Sequence, residues 1–217
     1  MVKGAVAEVE TAEASTPGET RAEATAARII GAARRLFVAQ SYAEVTTDMI
    51  ARAADVTKGG LYHHFPSKES LYIAMMLEDL ERKRLLFGQA VAMTGGSRDR
   101  LGRLTRDFLE LPPEERQLIR LVRRDVNIFG GEERDRLVRA YQRALPEQVE
   151  EIVCDGIRDG ELGAADPRLL SWSFVALVEV VIGEYAQQSL GQTESRLDHV
   201  LDLFLSGAAT ENVGATT

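Results

Sequence analysis

The sequence predicts an all-α protein in which three short helices precede a larger helical unit. Three observations carry that expectation. Apolar residues recur three and four apart along most of the 217 residues. No stretch shows the strict alternation of a half-buried strand. Most proline, glycine and capping residues fall between the periodic runs.

Residues 1–20 are rich in Ala, Glu, Thr and Gly and hold hardly any large apolar groups, so they are expected to form a disordered tail. Ile29, Ile30, Ala33, Leu36 and Phe37 then recur at helical spacing, with Arg28, Arg34 and Arg35 off that stripe. "SYAEV" interrupts the pattern. Thr47 is the expected N-cap of a second helix. Asp48 suits the positive end of its dipole, and Ile50, Ala51, Ala53 and Ala54 form its apolar face. Asp55-Val56-Thr57 turns the chain, and Thr57 caps a third, very short helix through Phe65. Pro66 ends that helix, because its ring disfavours helical geometry at the residue before. Ser67 caps a long helix to about Phe87, with Glu78/Arg82 and Asp79/Lys83 as pairs on its solvated side.

Beyond "TGGS" a helix is expected from about Arg98 to Glu110, and Pro112-Pro113 opens the next. That helix places Leu118, Ile119, Val122, Val126 and Phe129 on one side and Arg116, Arg120, Arg123 and Arg124 on the other. "FGGEE" breaks it. A stretch from Glu132 to about Asp159 is kinked or divided at Pro146. Asp166-Pro167 opens "DPRLLSWSFVALVEVVIGEYAQQSL", apolar nearly all round, as expected of a helix buried on several sides. Leu197, Val200, Leu201, Phe204 and Leu205 form a narrow stripe on the last helix. The expected organisation is a tail at 1–20, a small unit at 21–66, a larger one at 67–207 and a flexible tail at 208–217.

Bulk properties exclude several classes. A single cysteine, Cys154, rules out an internal disulfide framework and fits a reducing compartment. No apolar run approaches the roughly 20 residues that span a bilayer, and the N-terminus lacks the order of a signal peptide. A cytoplasmic protein is expected, with no membrane partner. The formal net charge is −8 but uneven: −3 over residues 1–20, +2 over 21–70 and −7 over 71–217. Attraction to phosphate is therefore confined to the second block.

That block contains "VTKGGLYHHFPSKESL", with glycines, aromatics, histidines and lysines crowded into one segment. Three short helices with tight turns, the third small and polar, describe a helix-turn-helix. Its third helix is expected to enter the major groove, where Gly59 and Gly60 allow close approach although helix propensity resists them. Thr47, Thr57, Lys58, Tyr62 and Lys68 supply hydroxyl and ammonium groups for phosphate oxygens. His63 is the best candidate for a base edge, since its ring donates or accepts a hydrogen bond. Leu61 and Phe65 turn into the small core.

The run from Ile29 to Leu71 resembles the N-terminal DNA-binding domain of TetR-type transcriptional regulators. The resemblance rests on "AARRLF", on "SYAEVTTDMIARAADVTKGGLYHHFPSKESL" and on the long helix that follows, about 45 residues in all. It implies a homodimer with two reading heads on an operator, an all-α effector domain and repression relieved by a small molecule. By position it implies that Thr47, Thr57, Tyr62, His64 and Lys68 touch the DNA backbone, while Lys58, Gly59 and His63 face bases. Asp48 stands where some members read a base with a cation, which implies fewer base contacts from the second helix.

Other features have blander readings. His63 and His64, adjacent on a helix, point about 100° apart and have no further ligand at metal spacing, so no metal and no cofactor is expected. Cys154, beside Val153 and Ile157, is expected in the core. The two last helices are expected to pair across a dyad through Val175, Val178, Ile182, Leu197, Leu201 and Phe204. An effector pocket is expected among Phe108, Ile119, Val122, Arg123, Val126, Phe129, Tyr141, Trp172 and Phe174, although aromatics at helical spacing are more often core. The arginine stripe is either a solvated face or meets an anionic effector such as an acyl-coenzyme A. No nucleophile–base set or phosphate loop favours an enzyme. A constitutive DNA-binding protein with a merely structural bundle is the other alternative.

Overall fold

Proline suits the first turn of a helix, and α1 (Pro17–Ala39) starts on one. The structure, a computed structural model, describes residues 17–208. Four residues of the expected tail, 17–20, are therefore helical, whereas 1–16 and 209–217 lie outside the described residues. α1 buries Ile29, Ala32, Ala33 and Phe37 in a core shared with α2 (Thr47–Ala53) and α3 (Lys58–His64), which contribute Ile50, Ala51 and Leu61. The cap of α2 is Thr46 rather than Thr47. Its hydroxyl accepts from the Met49 amide at 3.2 Å, which moves Thr47 into the first turn and turns its own hydroxyl toward α3. Thr57 caps α3 as expected, accepting from the Gly60 amide at 3.0 Å.

α4 (Lys68–Ala92) begins at a capping box formed by Ser67 and Ser70 and runs five residues past the expected Phe87. Its Asp79/Lys83 pair does not lie on a wet face. Both side chains are buried and bonded to each other, and Arg82 reaches Asp79 at 3.2 Å. Glu78 pairs with Arg34 of α1 at 3.7 Å, not with Arg82. The reason is that α4 is covered on several sides, by α1, α5 (Ser97–Glu110), α6 (Pro113–Asp125), α7 (Gly131–Ala144) and α8 (Pro146–Arg158). Burial lowers the pKa of Lys83, opposed by the Asp79 carboxylate beside it.

A 3-10 turn, Val126–Ile128, follows α6. Pro146 divides the next stretch outright, with Leu145 at φ −138° and ψ −63° between α7 and α8. The long apolar segment is likewise two helices, α9 (Pro167–Val181) and α10 (Glu184–Leu190), bent by 74°. Gly183 makes that break, extended at ψ 155°, where a Cβ would stand 3.2 Å from the Val180 carbonyl. Nor is α9 buried all round, since its Leu169 and Val180 are exposed. α11 (Thr193–Ala208) packs on α5 and α9. Cys154 is exposed: α8 turns Val149, Ile152, Val153 and Gly156 inward, and one residue further round the helix faces solvent. Among the described residues no single helix is long and apolar enough to cross a membrane.

Candidate nucleic-acid interface

The turn between α2 and α3 is tight because Asp55 adopts φ 52°, a conformation that its short polar side chain tolerates. Arg28 of α1 secures it by donating to the carbonyl oxygens of Ala54 (2.6 Å) and Asp55 (2.8 Å). Leu61 is the buried anchor of α3, so the residues around it must face outward. Thr57, Lys58, Gly59, Tyr62 and His63 are all exposed. A Cβ built at Gly59 meets nothing in the protein closer than 4.0 Å, so packing within the chain does not demand glycine there. At Gly60 it would press on the Thr57 cap at 3.2 Å.

The polar groups of this face are linked across the two helices. The hydroxyls of Thr47 and Tyr62 lie 3.2 Å apart, and Lys58 pairs with Asp48 at 3.1 Å. Asp48 is thus partly neutralised by the neighbouring helix, a pairing that the spacing of ten residues in a turn-rich segment did not reveal. The pair is exposed and therefore weak, which leaves the Lys58 ammonium able to exchange the carboxylate for another anion. His63 and His64 stack edge to face at 5.5 Å, and His64 is half-buried against Phe65. Among the described residues no three His, Cys, Asp or Glu side chains cluster as metal ligands.

Lys68 differs from the sequence expectation. Its ammonium donates to the carbonyl oxygens of Tyr42 (2.8 Å) and Val45 (3.0 Å) and sits 4.2 Å from the centre of the Tyr42 ring. Two of its three N–H groups therefore hold the loop that leads into α2. Behind that loop is an aromatic seam. Tyr72 of α4 meets Phe37 at 4.9 Å and Tyr42 at 5.2 Å, and its hydroxyl donates to Asp125 at the end of α6 at 2.7 Å. Burial and that carboxylate raise the Tyr72 pKa far above the usual phenol range.

Phe129 completes the seam, 5.3 Å from Tyr42 and 5.2 Å from Tyr72. It packs at the junction of the two units and not with an internal pocket, because the 3-10 turn swings it off the α6 stripe. Phe108 packs on Phe87, and Phe174 on Phe204. Ile119, Val122 and Tyr141 are buried, with Val126 and Trp172 half-buried against the core. Tyr141 lies 6.0 Å from Trp172, and its hydroxyl has no bonding partner. Burial and the Glu179 carboxylate push its pKa up to about 12, opposed by Arg123. Arg123 itself is paired with Glu179. The expected pocket residues are thus divided among four aromatic contacts, and of these the Tyr141 group combines apolar walls with unpartnered polar atoms, the Tyr141 hydroxyl and a Glu179 carboxylate oxygen.

The six residues expected at a dimer interface are all buried within the chain itself. Val175, Val178, Ile182, Leu197, Leu201 and Phe204 belong to the core in which α9 packs on α8 and α11, and α11 on α5, so little of their surface is left for a second copy. The opposite face is the exposed one. The apolar side chains open to solvent there are Leu169 (68%), Val180 (65%), Tyr185 (83%) and Leu203 (53%).

Comparison with known proteins agrees with this architecture. The family model described as "Bacterial regulatory proteins, tetR family" matches residues 29–75, and "Tetracyclin repressor-like, C-terminal domain" matches residues 94–207. The HTH-type transcriptional regulator UidR of Escherichia coli K12 is 36% identical over 73 residues, 34% of this chain and 37% of that protein. The chain thus matches little more than a third of that relative's length. YhgD, an HTH-type transcriptional regulator of Bacillus subtilis, is 21% identical over 184 residues, 85% of this chain and 96% of that one. A tetR-family regulator of Rhodococcus RHA1 superposes with a TM-score of 0.75 at 21% identity, covering 87% of this chain and 98% of that chain. FadR of Bacillus subtilis, solved with stearoyl-CoA, gives 0.70 at 18% identity over 83% and 98%. AibR, solved with isovaleryl coenzyme A and operator DNA, gives 0.70 at 22% identity over 82% and 97%. Matches to both halves of the family architecture, with an exposed polar face on α3, leave one assignment: the chain belongs to the TetR family of helix-turn-helix transcriptional regulators, DNA-binding proteins and not enzymes.

Proposed function

We propose that this regulator is a cytoplasmic repressor that binds a palindromic operator as a homodimer and is released by a small-molecule effector. The observation that carries the reading is the outward face of α3, where Lys58, Gly59, Tyr62 and His63 are exposed around a buried Leu61. Thr47, Thr57, Tyr62, His64 and the remaining N–H of Lys68 contact phosphates. Lys58, Gly59 and His63 face the bases. A mobility-shift titration on the DNA upstream of its own gene tests this. A sequence-specific complex weakened by salt supports it, and binding indifferent to sequence removes it.

The second copy docks on α9 and α11. Leu169, Ser173, Ala176 and Val180 stand at intervals of four, three and four, one exposed stripe on α9, with Tyr185 and Leu203 beside it. A twofold axis through that stripe makes a self-complementary four-helix contact and sets two α3 helices at a fixed separation, about 34–36 Å or a multiple for successive major grooves. Leu169→Glu with Val180→Glu is expected to yield a folded monomer by light scattering, with operator affinity lost alongside. A double variant that stays dimeric overturns the interface.

The effector is proposed to be a hydrophobic ligand or an acyl-CoA, the class named with FadR and AibR. A ligand shifts the reading heads only by its differential affinity for the two arrangements. About 3 kcal/mol of such coupling lowers DNA affinity about 150-fold. α4 is the rod that transmits it, since it begins at the Lys68 clamp and ends inside the larger unit.

A further inference from the structure

We infer that Asp48 and Lys58 together read one G·C base pair of the operator, Lys58 donating to the guanine and Asp48 accepting from the cytosine amino group. The inference rests on reading α3 as the helix in the groove, and it names the base chemistry at one position. Asp48 of α2 and Lys58 of α3 meet symmetrically, with the ammonium nitrogen 3.1 Å from Oδ1 and 3.1 Å from Oδ2. Both side chains stay open to solvent, Asp48 at 54% and Lys58 at 55%. An ammonium has three N–H donors and a carboxylate about four lone-pair sites, so each keeps capacity for a second partner.

The pair sits among groups of the outward face. The Thr47 and Tyr62 hydroxyls, 3.2 Å apart, join the same two helices. A Cβ built at Gly59, next to Lys58, meets nothing closer than 4.0 Å, which leaves room for a base edge. From Thr46 to Lys68 the acids are Asp48 and Asp55, and Asp55 lies 3.7 Å from Arg28 at the turn. Asp48 is thus the carboxylate of this face, where an isolated anion would repel phosphate. Held to Lys58 it is neutralised, and what the pair offers DNA is a donor beside an acceptor.

That pattern selects one base pair. In the major groove G·C presents N7, then O6, then the N4 amino group. O6 and N4 are hydrogen-bonded to each other at about 2.9 Å, a spacing close to that of the ammonium and carboxylate laid against them. Beyond O6 the ammonium finds N7 as a second acceptor. A T·A pair offers O4 and the N6 amino group in the same order, but the thymine methyl then stands against the ammonium and adenine N7 against the carboxylate. G·C is favoured on both sides. A base contact from α2 is thereby made by an acceptor in place of a cation.

Footprinting on the DNA upstream of the gene locates the half-sites, and mobility-shift titrations with each base pair substituted test the assignment. Replacing one G·C pair in each half-site is expected to weaken wild-type binding by about 5- to 150-fold. Asp48→Ala is expected to lose that discrimination. Asp48→Asn is expected to shift it toward adenine, which an amide matches through N6 and N7. With 2-pyrimidinone at that cytosine, which removes the N4 amino group, the wild type is expected to lose more affinity than Asp48→Ala. With 7-deazaguanine opposite, it is expected to lose more than Lys58→Met. The ion pair is exposed and weak, so all three variants are expected to melt within about 2–4 °C of the wild type. Two outcomes overturn the inference: base preferences unchanged in Asp48→Ala, or tighter binding of that variant to every sequence alike, which makes Asp48 a repeller of phosphate and nothing more. Failure of the wild type to form any sequence-specific complex is a different result, since it removes the regulator reading and this inference with it.

Discussion

Lys83→Met is expected to lower the melting temperature by about 6–20 °C. Lys83 and Asp79 sit one turn apart near the middle of α4, both buried and bonded to each other. Removing the ammonium leaves a carboxylate in the core with Arg82, itself half-exposed, as its remaining partner at 3.2 Å. Breaking a buried pair in this way costs about 3–5 kcal/mol, and each kcal/mol moves the melting point of a chain this size by about 2–4 °C. The opposite result is expected when both charges go. Asp79→Leu with Lys83→Met restores most of the loss, because two well-packed apolar side chains need no desolvation to be offset. A calorimetric cycle over the two single variants and the double one decides it: additive losses would show that the charges act independently and that the pairing is incidental.

The same pair shows what the sequence could and could not reveal. Spacing of four residues identified Asp79 and Lys83 as partners, but periodicity could not show that α4 is covered on several sides, since that depends on helices as far along the chain as α8. The small N-terminal unit was legible because its determinants are local. Thr57 caps within three residues, Pro66 stops α3, Ser67 starts α4, and Leu61 is buried where the pattern placed it. The Thr46/Thr47 shift of one residue is the scale of error that two adjacent capping residues allow. In the larger unit an apolar stripe gives a buried face but not its partner. Val175, Val178, Ile182, Leu197, Leu201 and Phe204 satisfy equally an interface between copies and a core within one, and they proved to be core. Phe129 was assigned to a pocket because it continues the α6 period, which the 3-10 turn ends. Arg28, Tyr42 and Asp125 carried no local signal, because their bonds span 26, 26 and 53 residues respectively.

Operator recognition yields the second large effect. Thr47→Ala combined with Tyr62→Ala is expected to weaken operator binding by about 100-fold or more, since each hydroxyl donated to a charged phosphate oxygen is worth about 1.5–3 kcal/mol. The two hydroxyls lie 3.2 Å apart on neighbouring helices, so a single phosphate can engage both. Neither residue supports the small core. Leu61, Ile50 and Phe37 do that, and the doubly substituted protein is expected to retain its helical content. Both groups are uncharged, so the loss is expected to be uniform across DNA sequences with the slope of log K against log salt unchanged. Lys58→Ala, by contrast, reduces that slope by about one if its ammonium leaves Asp48 for a phosphate. It relaxes discrimination at one base pair, at about 1–3 kcal/mol, if the lysine reaches a base edge instead. Lys68 is the wrong residue for this test. Lys68→Met releases the Tyr42 and Val45 carbonyl oxygens and lowers stability as well as affinity, which confounds the two. Unaltered operator affinity in the folded Thr47/Tyr62 variant would mean that α2 and α3 meet DNA through another face, and the orientation of the reading head would have to be reversed.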